Sequence, residues 1–389
     1  MKKSFYLVAI IGLVLAFLIS RAIVNTYENP ANSDFFTFWL AGRLVSRGMD
    51  PYSVFDWVSG HHVYGSTWFP NLAYVYPLPL SILFIPLGAI NFEFAFTVWV
   101  AITIILLGVT LILLLNYFEE EYQHFILPLI AGLVLFRPIT SLIRNGQISA
   151  VLLLIFIIAG ILWDQKKWFL GGMIIALSLM KPNLGLIVVA LCAWHLLLQH
   201  RYSALLGIGV TGISLLLIGM AIDPEWLSQY YNILLIKYNQ TFGYSPTIWG
   251  LSFQINSFEW NTSITLGAIL TAIVIIGYLI FIWKDKNIPS MSVIAFATLV
   301  MLLITPYLWP YDQIILLLPI VLSMSMLRKN GVSYLGTSMI FIMISIISYY
   351  LFWRSTIIRI ENINVFLTLL VLALFTLTNI MAKYRQIQS

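Results

Sequence analysis

An aspartate and two arginines stand close together in an aromatic segment near the start of the chain, DFFTFWLAGRLVSRGMDPY, which runs from Asp34 to Tyr52. Charged residues make up only 9% of the 389 residues, so charges here need a reason. A carboxylate at a water–lipid boundary can act as a general base on a hydroxyl group within its reach. Alternatively, Asp34 only begins a helix after Asn32 and Ser33 and accepts hydrogen bonds from backbone N–H groups. The spacing alone leaves both interpretations open.

Three further polar sets occupy short turns between apolar segments. Asn145 and Gln147 flank Gly146, where they either bind sugar hydroxyls or phosphate oxygens or only form the turn. Lys181 stands at the end of an apolar segment, a position from which its ammonium group would contact a phosphate. Asp312 follows an aromatic turn and either binds substrate or caps a helix. These residue types favour recognition of an anionic, hydroxyl-rich ligand.

The composition places these residues in a membrane protein. Apolar residues account for 61% of the chain and the mean hydropathy is +0.95, which excludes a soluble globular domain. Apolar runs of about 20 residues recur, which is typical of an all-α polytopic membrane protein. The single cysteine, Cys192, excludes an intrachain disulfide. The net charge of +5 is spread over loops and gives no indication of nucleic-acid binding.

The hydrophobicity pattern predicts one transmembrane domain over residues 1–389 with about 12 spans. We interpret the first as an uncleaved span rather than a signal peptide. Two long polar or aromatic stretches, 25–76 and 222–262, interrupt the series. The predicted spans are 5–24, 94–116, 125–143, 147–163, 168–181, 183–200, 202–221, 263–283, 288–307, 310–327, 332–353 and 361–382.

One additional apolar run, 77–90, does not fit an even number of crossings. At ~1.5 Å per residue it reaches only ~21 Å, which is short of a ~30 Å hydrocarbon core. We therefore expect a half-membrane element here. In the alternative, 77–90 spans the membrane and 125–143 is the re-entrant segment.

The basic residues predict which turns face the cytoplasm. They place both termini inside, together with the turns at 164–167, 200–201, 283–286, 327–330 and 382–385. The alternation then leaves outside the 25–76 loop, the 222–262 loop and the turns at 145–147, 181–183, 307–313 and 354–361.

A minority of basic residues falls on this outer side, against the usual bias. An anionic ligand such as a lipid phosphate would explain them, because guanidinium and ammonium groups bind phosphate well. The alternative is that they extend from helix ends to the membrane surface. The set comprises Arg43, Arg47, Arg137, Arg144, Lys181, Lys237, Arg354 and Arg359.

Both outer loops contain candidates for amphipathic interfacial helices. Residues 34–47 form the first candidate, and Gly48 is a suitable C-terminal stop. The second lies in DPEWLSQYYNILLIKY, where Asp223 can cap the helix.

The segment from Asp34 to Tyr52 resembles the opening motif of bacterial polyprenol-phosphate-sugar-dependent glycosyltransferases, in the alpha-1,2-mannosyltransferase-like family of the GT-C superfold. The matching residues are Asp34, Phe35, Phe38, Trp39, Ala41, Arg43, Gly48, Pro51 and Tyr52. Further similar motifs follow in the same order up to about residue 185: Tyr76-Pro77 with Pro79, Asn145-Gly146-Gln147, Gly171-Gly172 and Lys181-Pro182. Beyond them the resemblance is weaker and rests on Thr305-Pro306, Trp309 and Tyr311. A histidine common near that turn in mannose-transferring members is absent, which leaves the donor sugar open.

The resemblance implies a GT-C-like helical bundle and a multi-pass enzyme of the plasma membrane with an extracytoplasmic active site. It would transfer mannose or another hexose or pentose from a polyprenyl phosphate to a glycan or glycolipid acceptor, with inversion. Asp34 would be the base, and no metal or other cofactor is required. The donor would be bound by Arg43, Lys181, Arg144, Asn145, Gln147 and Tyr76. Further substrate contacts would come from Trp39, Tyr52, Tyr311 and Asp312.

Two other classes share some of these features. A secondary transporter would be expected to carry acidic residues or broken helices near the membrane midplane, and almost none of the 15 acidic residues falls mid-span. A flippase, polymerase or ligase of lipid-linked oligosaccharides would share the outer cations.

Overall fold

The computed structural model describes residues 2–68, 71–117, 132–284 and 288–388, and the regular elements in these ranges are helices. The helices up to residue 164 are α1 (Lys2–Val24), α2 (Phe35–Ser46), α3 (Val54–Val63), α4 (Leu78–Leu83), α5 (Ile85–Gly88), α6 (Phe92–Tyr117), α7 (Arg137–Asn145) and α8 (Ser149–Asp164). After them come α9 (Trp168–Ala176), α10 (Pro182–Leu198), α11 (Tyr202–Ile222), α12 (Trp226–Thr241), α13 (Ile248–Ile255), α14 (Trp260–Lys284), α15 (Ser290–Ile304), α16 (Leu317–Lys329), α17 (Tyr334–Ile358) and α18 (Val365–Gln388).

Within these ranges, six helices are long and apolar enough to cross a membrane. They are Phe92–Tyr117, Tyr202–Ile222, Trp260–Lys284, Pro310–Lys329, Tyr334–Ile358 and Glu361–Ala382. Each lies on a predicted span. Helices α7 and α8 are bent by 119° relative to each other and together form at most one more span. The prediction of an all-helical, multi-pass membrane protein is confirmed, while the count of about 12 spans stays a prediction.

The ambiguous apolar run at 77–90 forms two short helices, α4 and α5, which meet at Phe84. At ~1.5 Å per residue, neither helix extends more than about 9 Å. This arrangement supports the half-membrane interpretation of 77–90. Most of the alternative segment, 125–143, lies outside the described residues.

The first compact unit comprises Met1–Val109, Leu142–Val151 and Ile213–Lys237. Helix α2 lies at its centre, with nine of its twelve residues buried. A Cβ on Gly42 would lie 2.4 Å from the carbonyl oxygen of Phe84, and a Cβ on Gly88 would lie 2.5 Å from the backbone nitrogen of Arg43. Both glycines are therefore needed for α2 to pack directly on residues 84–88. The helix predicted over 34–47 is present, but it is buried on more faces than an amphipathic surface helix.

The second compact unit comprises Thr110–Ser141, Leu152–Gly212 and Tyr238–Ser389. Helix α15 forms its core together with the segment 310–327, in which nearly all residues are buried. At one end, Asp164 accepts hydrogen bonds from the Tyr117 hydroxyl and from the Ser290 backbone N–H, the latter at 3.1 Å. These contacts join the end of α6 to the end of α8 and the start of α15, and the charge pattern assigns the turns next to the latter two to the cytoplasm.

In the loops predicted to lie outside, the helix end predicted at Gly48 is confirmed, and Asp223 lies three residues before the start of a helix. Gly48, with φ +68°, follows α2, and its N–H bonds to the Val45 carbonyl at 3.1 Å while Met49 N–H bonds to Leu44 at 3.0 Å. This pair of bonds is the Schellman pattern of helix ends. In the second loop, Asp223 accepts a hydrogen bond from the Glu225 N–H at 2.8 Å, directly before α12.

Candidate functional site

Asp34 directly precedes α2 but does not cap it. Its backbone is already helical (φ −62°, ψ −26°), and its carboxylate accepts no capping hydrogen bond from the helix. The following residue, Phe35, is fully buried and stacks on Phe96 and Trp99 with ring centroids 5.1 and 6.0 Å away. These rings fix the start of α2. The interpretation of Asp34 as a mere helix-start residue is therefore not supported by the geometry.

The turn at 145–147 is rigidly built. Gly146 has φ +66°, and its N–H bonds to the Ile143 carbonyl at 3.3 Å while Gln147 N–H bonds to Leu142 at 3.2 Å. These bonds again form the Schellman pattern, here at the end of α7. The Trp99 indole N–H donates to the Gly146 carbonyl at 2.8 Å. Gln147 therefore leaves this turn in a fixed direction.

The side chain of Gln147 connects three of the predicted site residues. It is 1% exposed, and its Nε2 donates to Asp34 Oδ2 at 2.9 Å and to the Tyr76 hydroxyl at 3.3 Å. Gln147 is 113 positions from Asp34 and 71 positions from Tyr76 in the chain. The structure thus unites the first-loop aspartate, the Tyr76-Pro77 motif and the Gln147 turn.

Tyr27 belongs to this cluster and was missed by the sequence analysis. Its hydroxyl donates to the Arg144 carbonyl, and the Arg144 guanidinium lies 5.8 Å from the centre of its ring. Burial raises the pKa of the Tyr27 phenol above its usual range, the Arg144 guanidinium opposes this shift, and the Asp34 carboxylate adds to it. Asp34 and the exposed Arg144 therefore both lie near Tyr27. Tyr27 is one of 20 tyrosines and lies in a loop rich in aromatic residues, so the sequence gave no specific reason to select it.

Arg43 is not part of this cluster. Its Nη1 donates to the Gly88 carbonyl at 2.6 Å, and its guanidinium lies 5.1 Å from the Trp39 ring and 4.7 Å from the Tyr64 ring. It also stands nine residues after Asp34, about 13 Å along the axis of α2. The structure therefore gives Arg43 contacts that hold α2 against α5.

Two predicted substrate contacts in the same unit also have internal partners. Trp39 is 1% exposed and donates to the Ile90 carbonyl at 3.2 Å. Tyr52 is 6% exposed, and its hydroxyl donates to the Tyr76 carbonyl at 2.7 Å. Both residues position the first loop, and Tyr52 supports the backbone of Tyr76.

In the second unit, Lys181 and Asp312 form a buried ion pair. Lys181 Nζ lies 2.5 Å from Asp312 Oδ1, and the two side chains are 2% and 1% exposed. Asp312 Oδ2 also accepts the Trp309 backbone N–H at 3.3 Å. The Lys181 ammonium lies 5.3 Å from the centre of the Tyr311 ring. Three predicted site residues therefore meet here, and Asp312 both caps its segment and pairs with a cation.

The turns predicted to lie outside contact one another within this unit. Asn183 Nδ2 donates to the Tyr307 carbonyl at 2.9 Å, and the Thr305 hydroxyl donates to the Asn183 carbonyl at 2.7 Å. Asn362 Nδ2 reaches the Gly250 carbonyl at 3.1 Å. The turns at 181–183 and 307–313 therefore contact each other, and Asn362, directly after the 354–361 loop, contacts the 222–262 segment.

The remaining cations predicted to lie outside have separate surroundings. The Arg137 guanidinium lies 3.6 Å from the centre of the Phe352 ring and donates to the Thr140 hydroxyl. Arg354 and Arg359 are exposed at the end of α17, and Arg47 donates to the Tyr64 hydroxyl at 2.9 Å. The side chain of Lys237 lies outside the described part of the chain. The exposed members at the end of α17 fit the alternative of snorkelling from a helix end.

Adjacent histidines at the end of α3 point in different directions. His61 is 2% exposed and its Nδ1 lies 2.9 Å from the Trp57 carbonyl, whereas His62 is exposed. Among the described residues, no group of three or more His, Cys, Asp or Glu side chains is arranged to hold a metal ion.

Comparison with known proteins identifies the family. The profile of glycosyltransferase family 87 matches residues 74–306, which is more than half of the chain. The matched region contains Tyr76, Gln147 and Lys181, and Asp34 lies before it. No curated protein and no solved structure matches the chain. With helices suited to cross a membrane and a family match over most of its length, the chain belongs to glycosyltransferase family 87 and is a membrane glycosyltransferase of the GT-C type.

Proposed function

We propose that the chain transfers a sugar, mannose or another hexose or pentose, from a polyprenyl phosphate to a glycan or glycolipid acceptor. Asp34 acts as the general base, and the reaction takes place at the extracytoplasmic side of the plasma membrane. The family establishes glycosyl transfer. The polyprenyl-phosphate donor is inferred from the resemblance to alpha-1,2-mannosyltransferase-like enzymes.

The environment of Asp34 is the observation that carries this proposal. A carboxylate at a helix start normally accepts backbone N–H bonds of that helix. The Asp34 carboxylate accepts no such bond from α2, and the buried amide of Gln147 in a distant turn donates to it instead. Asp34 is half-buried, so it is close to solvent while held in place. A general base needs both a fixed position and access to its substrate.

The proposed reaction is a single displacement. The acceptor hydroxyl oxygen forms a bond to the anomeric carbon, and its proton moves to the Asp34 carboxylate. The bond between the anomeric carbon and the phosphate oxygen breaks, and its electron pair leaves with the polyprenyl phosphate. Attack opposite the leaving group inverts the anomeric configuration. The departing phosphate is already a stable anion, so a second carboxyl group is not required, in contrast to glycosidases.

Cations near the base would stabilise the negative charge that develops on the departing phosphate. In the first unit, Arg144 is the proposed donor contact, because it is exposed and lies beside the same tyrosine as Asp34. Asn145, half-buried in the adjacent turn, is proposed with it. Lys181 is proposed as a phosphate contact in the second unit. Arg43 has a packing role instead, because Gly88 and two aromatic rings hold its guanidinium.

Replacement of Asp34 tests the proposed base. Asp34→Asn keeps the size of the side chain and removes its basicity, so transfer from radiolabelled polyprenyl-phosphate mannose, glucose or arabinose to membrane lipids should be lost. Asp56→Asn is the matched control, because Asp56 is another first-loop aspartate whose carboxylate accepts a backbone N–H, that of Asp50 at 3.2 Å. The control should retain transfer. Full transfer by a folded Asp34→Asn protein would rule out Asp34 as the base.

A reporter fused after residue 165 tests the proposed sidedness. The proposal expects this turn in the cytoplasm, so a reporter that is active only in the cytoplasm should give signal there. A reporter that is active only outside the cytoplasm should give none. The opposite result would place the Asp34 loop in the cytoplasm and overturn the extracytoplasmic site.

A further inference from the structure

We propose that Gln147 is a positioning residue that orients the Asp34 carboxylate, rather than a contact to the sugar donor. This inference rests on the proposed function, because it assigns a role within the same site. The donor-contact role implied by the resemblance requires the Gln147 amide to face a substrate. The geometry directs its Nε2 group toward Asp34 and Tyr76.

The hydrogen-bond inventory of the amide supports this assignment. A glutamine Nε2 carries two N–H donors, and an ionised carboxylate only accepts. One N–H is directed to Asp34 Oδ2 at 2.9 Å and the other to the Tyr76 hydroxyl at 3.3 Å. Both donors therefore have protein partners, and the amide is 1% exposed. A substrate could take an N–H from Gln147 only by displacing Asp34 or Tyr76.

The supports around Gln147 explain why the amide holds its direction. Gly146 adopts a left-handed conformation, and a Cβ there would lie 2.6 Å from Phe35 Cβ. Phe35 is the residue after Asp34, so the turn carrying the amide packs directly on the start of α2. The Trp99 indole fixes the Gly146 carbonyl from a third element. The start of α2, next to the proposed base, and the turn that carries the Gln147 amide therefore share one contact surface.

The amide should also affect how the base titrates. A donated N–H favours the charged form of a carboxylate, and its loss disfavours that form. The phenols of Tyr27 and Tyr76 lie near Asp34, and the Arg144 guanidinium lies beside the same Tyr27 ring. A change at Gln147 replaces none of these groups. A shift in the pH dependence of transfer would therefore report the lost amide bond.

The first test is Gln147→Met in the full-length protein in lipid nanodiscs, with radiolabelled polyprenyl-phosphate mannose, glucose and arabinose as donors. Methionine has a similar length and no N–H donor. We expect kcat to fall by about 10- to 100-fold, since a base misplaced by about 1 Å costs this much. We also expect the acidic limb of the pH–rate profile to move to higher pH and the donor KM to stay the same. An increased donor KM with unchanged kcat would instead identify a donor contact and overturn the proposal.

Gln313→Met is the matched control. Gln313 is also 1% exposed, and its Nε2 donates to the Asn364 carbonyl at 2.7 Å and to the Thr368 hydroxyl at 3.2 Å. The substitution therefore removes an equally buried amide with two partners. It should lower the melting temperature without moving the pH profile. A shift in both variants would show a general effect of destabilisation and contradict a specific role of Gln147.

A second variant, Gln147→Glu, keeps the test decisive if Gln147→Met does not fold. The introduced carboxyl group would share a proton with Asp34 at acidic pH, since two adjacent carboxylates resist joint ionisation. The acidic limb should then move to higher pH, again at constant donor KM. An unchanged profile overturns the positioning role. In the same series, full activity of Asp34→Asn would overturn the proposed function itself. Loss of activity in Asp34→Asn together with an unchanged pH–rate profile of Gln147→Glu would overturn only the positioning role of Gln147.

Discussion

Lys181 Nζ and Asp312 Oδ1 lie 2.5 Å apart, and both side chains are almost fully removed from solvent. Each charge compensates the other, because removal of ions from water is costly unless they are paired. The pair links the start of α10 to the turn before α16, over 131 residues of sequence. It therefore contributes to the internal order of the second unit whatever its part in catalysis.

Removal of one partner of this pair should be strongly destabilising. Lys181→Met leaves the Asp312 carboxylate buried without its cation, which costs about 3–5 kcal/mol. The double variant Lys181→Met with Asp312→Asn removes both charges and keeps an acceptor for the Trp309 N–H, so it should recover most of the loss. Thermal unfolding in detergent measures the difference. Equal melting temperatures of the wild type and the single variant would contradict this expectation.

The recovered double variant then tests Lys181 as a phosphate contact. Loss of a hydrogen bond to a charged group costs about 1.5–3 kcal/mol, which corresponds to a rise in donor KM of about 10- to 100-fold. The acceptor KM should stay constant. Transfer assays at varied concentrations of polyprenyl-phosphate mannose provide the measurement. An unchanged donor KM would show that the ion pair only stabilises the fold.

Gly146 and Gly48 offer a matched comparison of two left-handed turns. Alanine at Gly48 meets no atom within 4 Å, so Gly48→Ala should cost only the backbone strain of about 1–2 kcal/mol. Gly146→Ala carries the same strain and adds a collision with Phe35, worth about 1–3 kcal/mol more. It should also lower kcat, because it displaces the turn that carries Gln147. Melting temperatures and transfer rates would be compared. A larger loss from Gly48→Ala would contradict the described packing.

Asp50 should make stability depend on pH. Burial raises the pKa of its carboxyl group, the Tyr52 N–H opposes this shift, and the nearby Asp223 and Asp56 carboxylates add to it. The folded state therefore holds the proton more tightly than the unfolded state. Stability from this group is complete below the unfolded value of about 3.9 and is lost as the pH rises through the higher folded value.

Asp50→Asn should therefore raise the melting temperature at pH 7, with no gain below about pH 4. Asparagine keeps an oxygen that can accept the Tyr52 N–H, which bonds to Asp50 Oδ1 at 2.8 Å in the wild type. Melting curves between these pH values provide the test. A gain of equal size at all pH values would show that the effect is not caused by ionisation.

The sequence predicted the elements that depend on local patterns. The six long apolar helices follow from hydrophobicity alone, and the end of α2 at Gly48 follows from turn chemistry. Asp34, Tyr76 and Gln147 were selected as candidates because ordered motifs resemble a known family. Their mutual contact was not predictable from spacing, since it depends on how distant segments pack.

The same limit explains the contacts that sequence reasoning missed. Arg43 matched a family motif, but the contact with Gly88 that holds it arises only where α2 crosses α5. Tyr27 lies outside any motif and acquires its partners through the turn at Arg144. Asp312 was considered as a helix cap or a substrate contact, and its pairing with Lys181 joins positions with no local relationship.

The dense packing of α2 also limits how this protein can move. Nine of the twelve residues of α2 are buried, and two glycines bring it into direct contact with neighbouring backbone. The helix that follows Asp34 therefore has a fixed position and does not act as a mobile lid. Any opening or closing during turnover must then occur in segments other than α2. With Asp34 as the proposed base, both reactants would have to travel to a stationary carboxylate, and their route of entry would then select the acceptor.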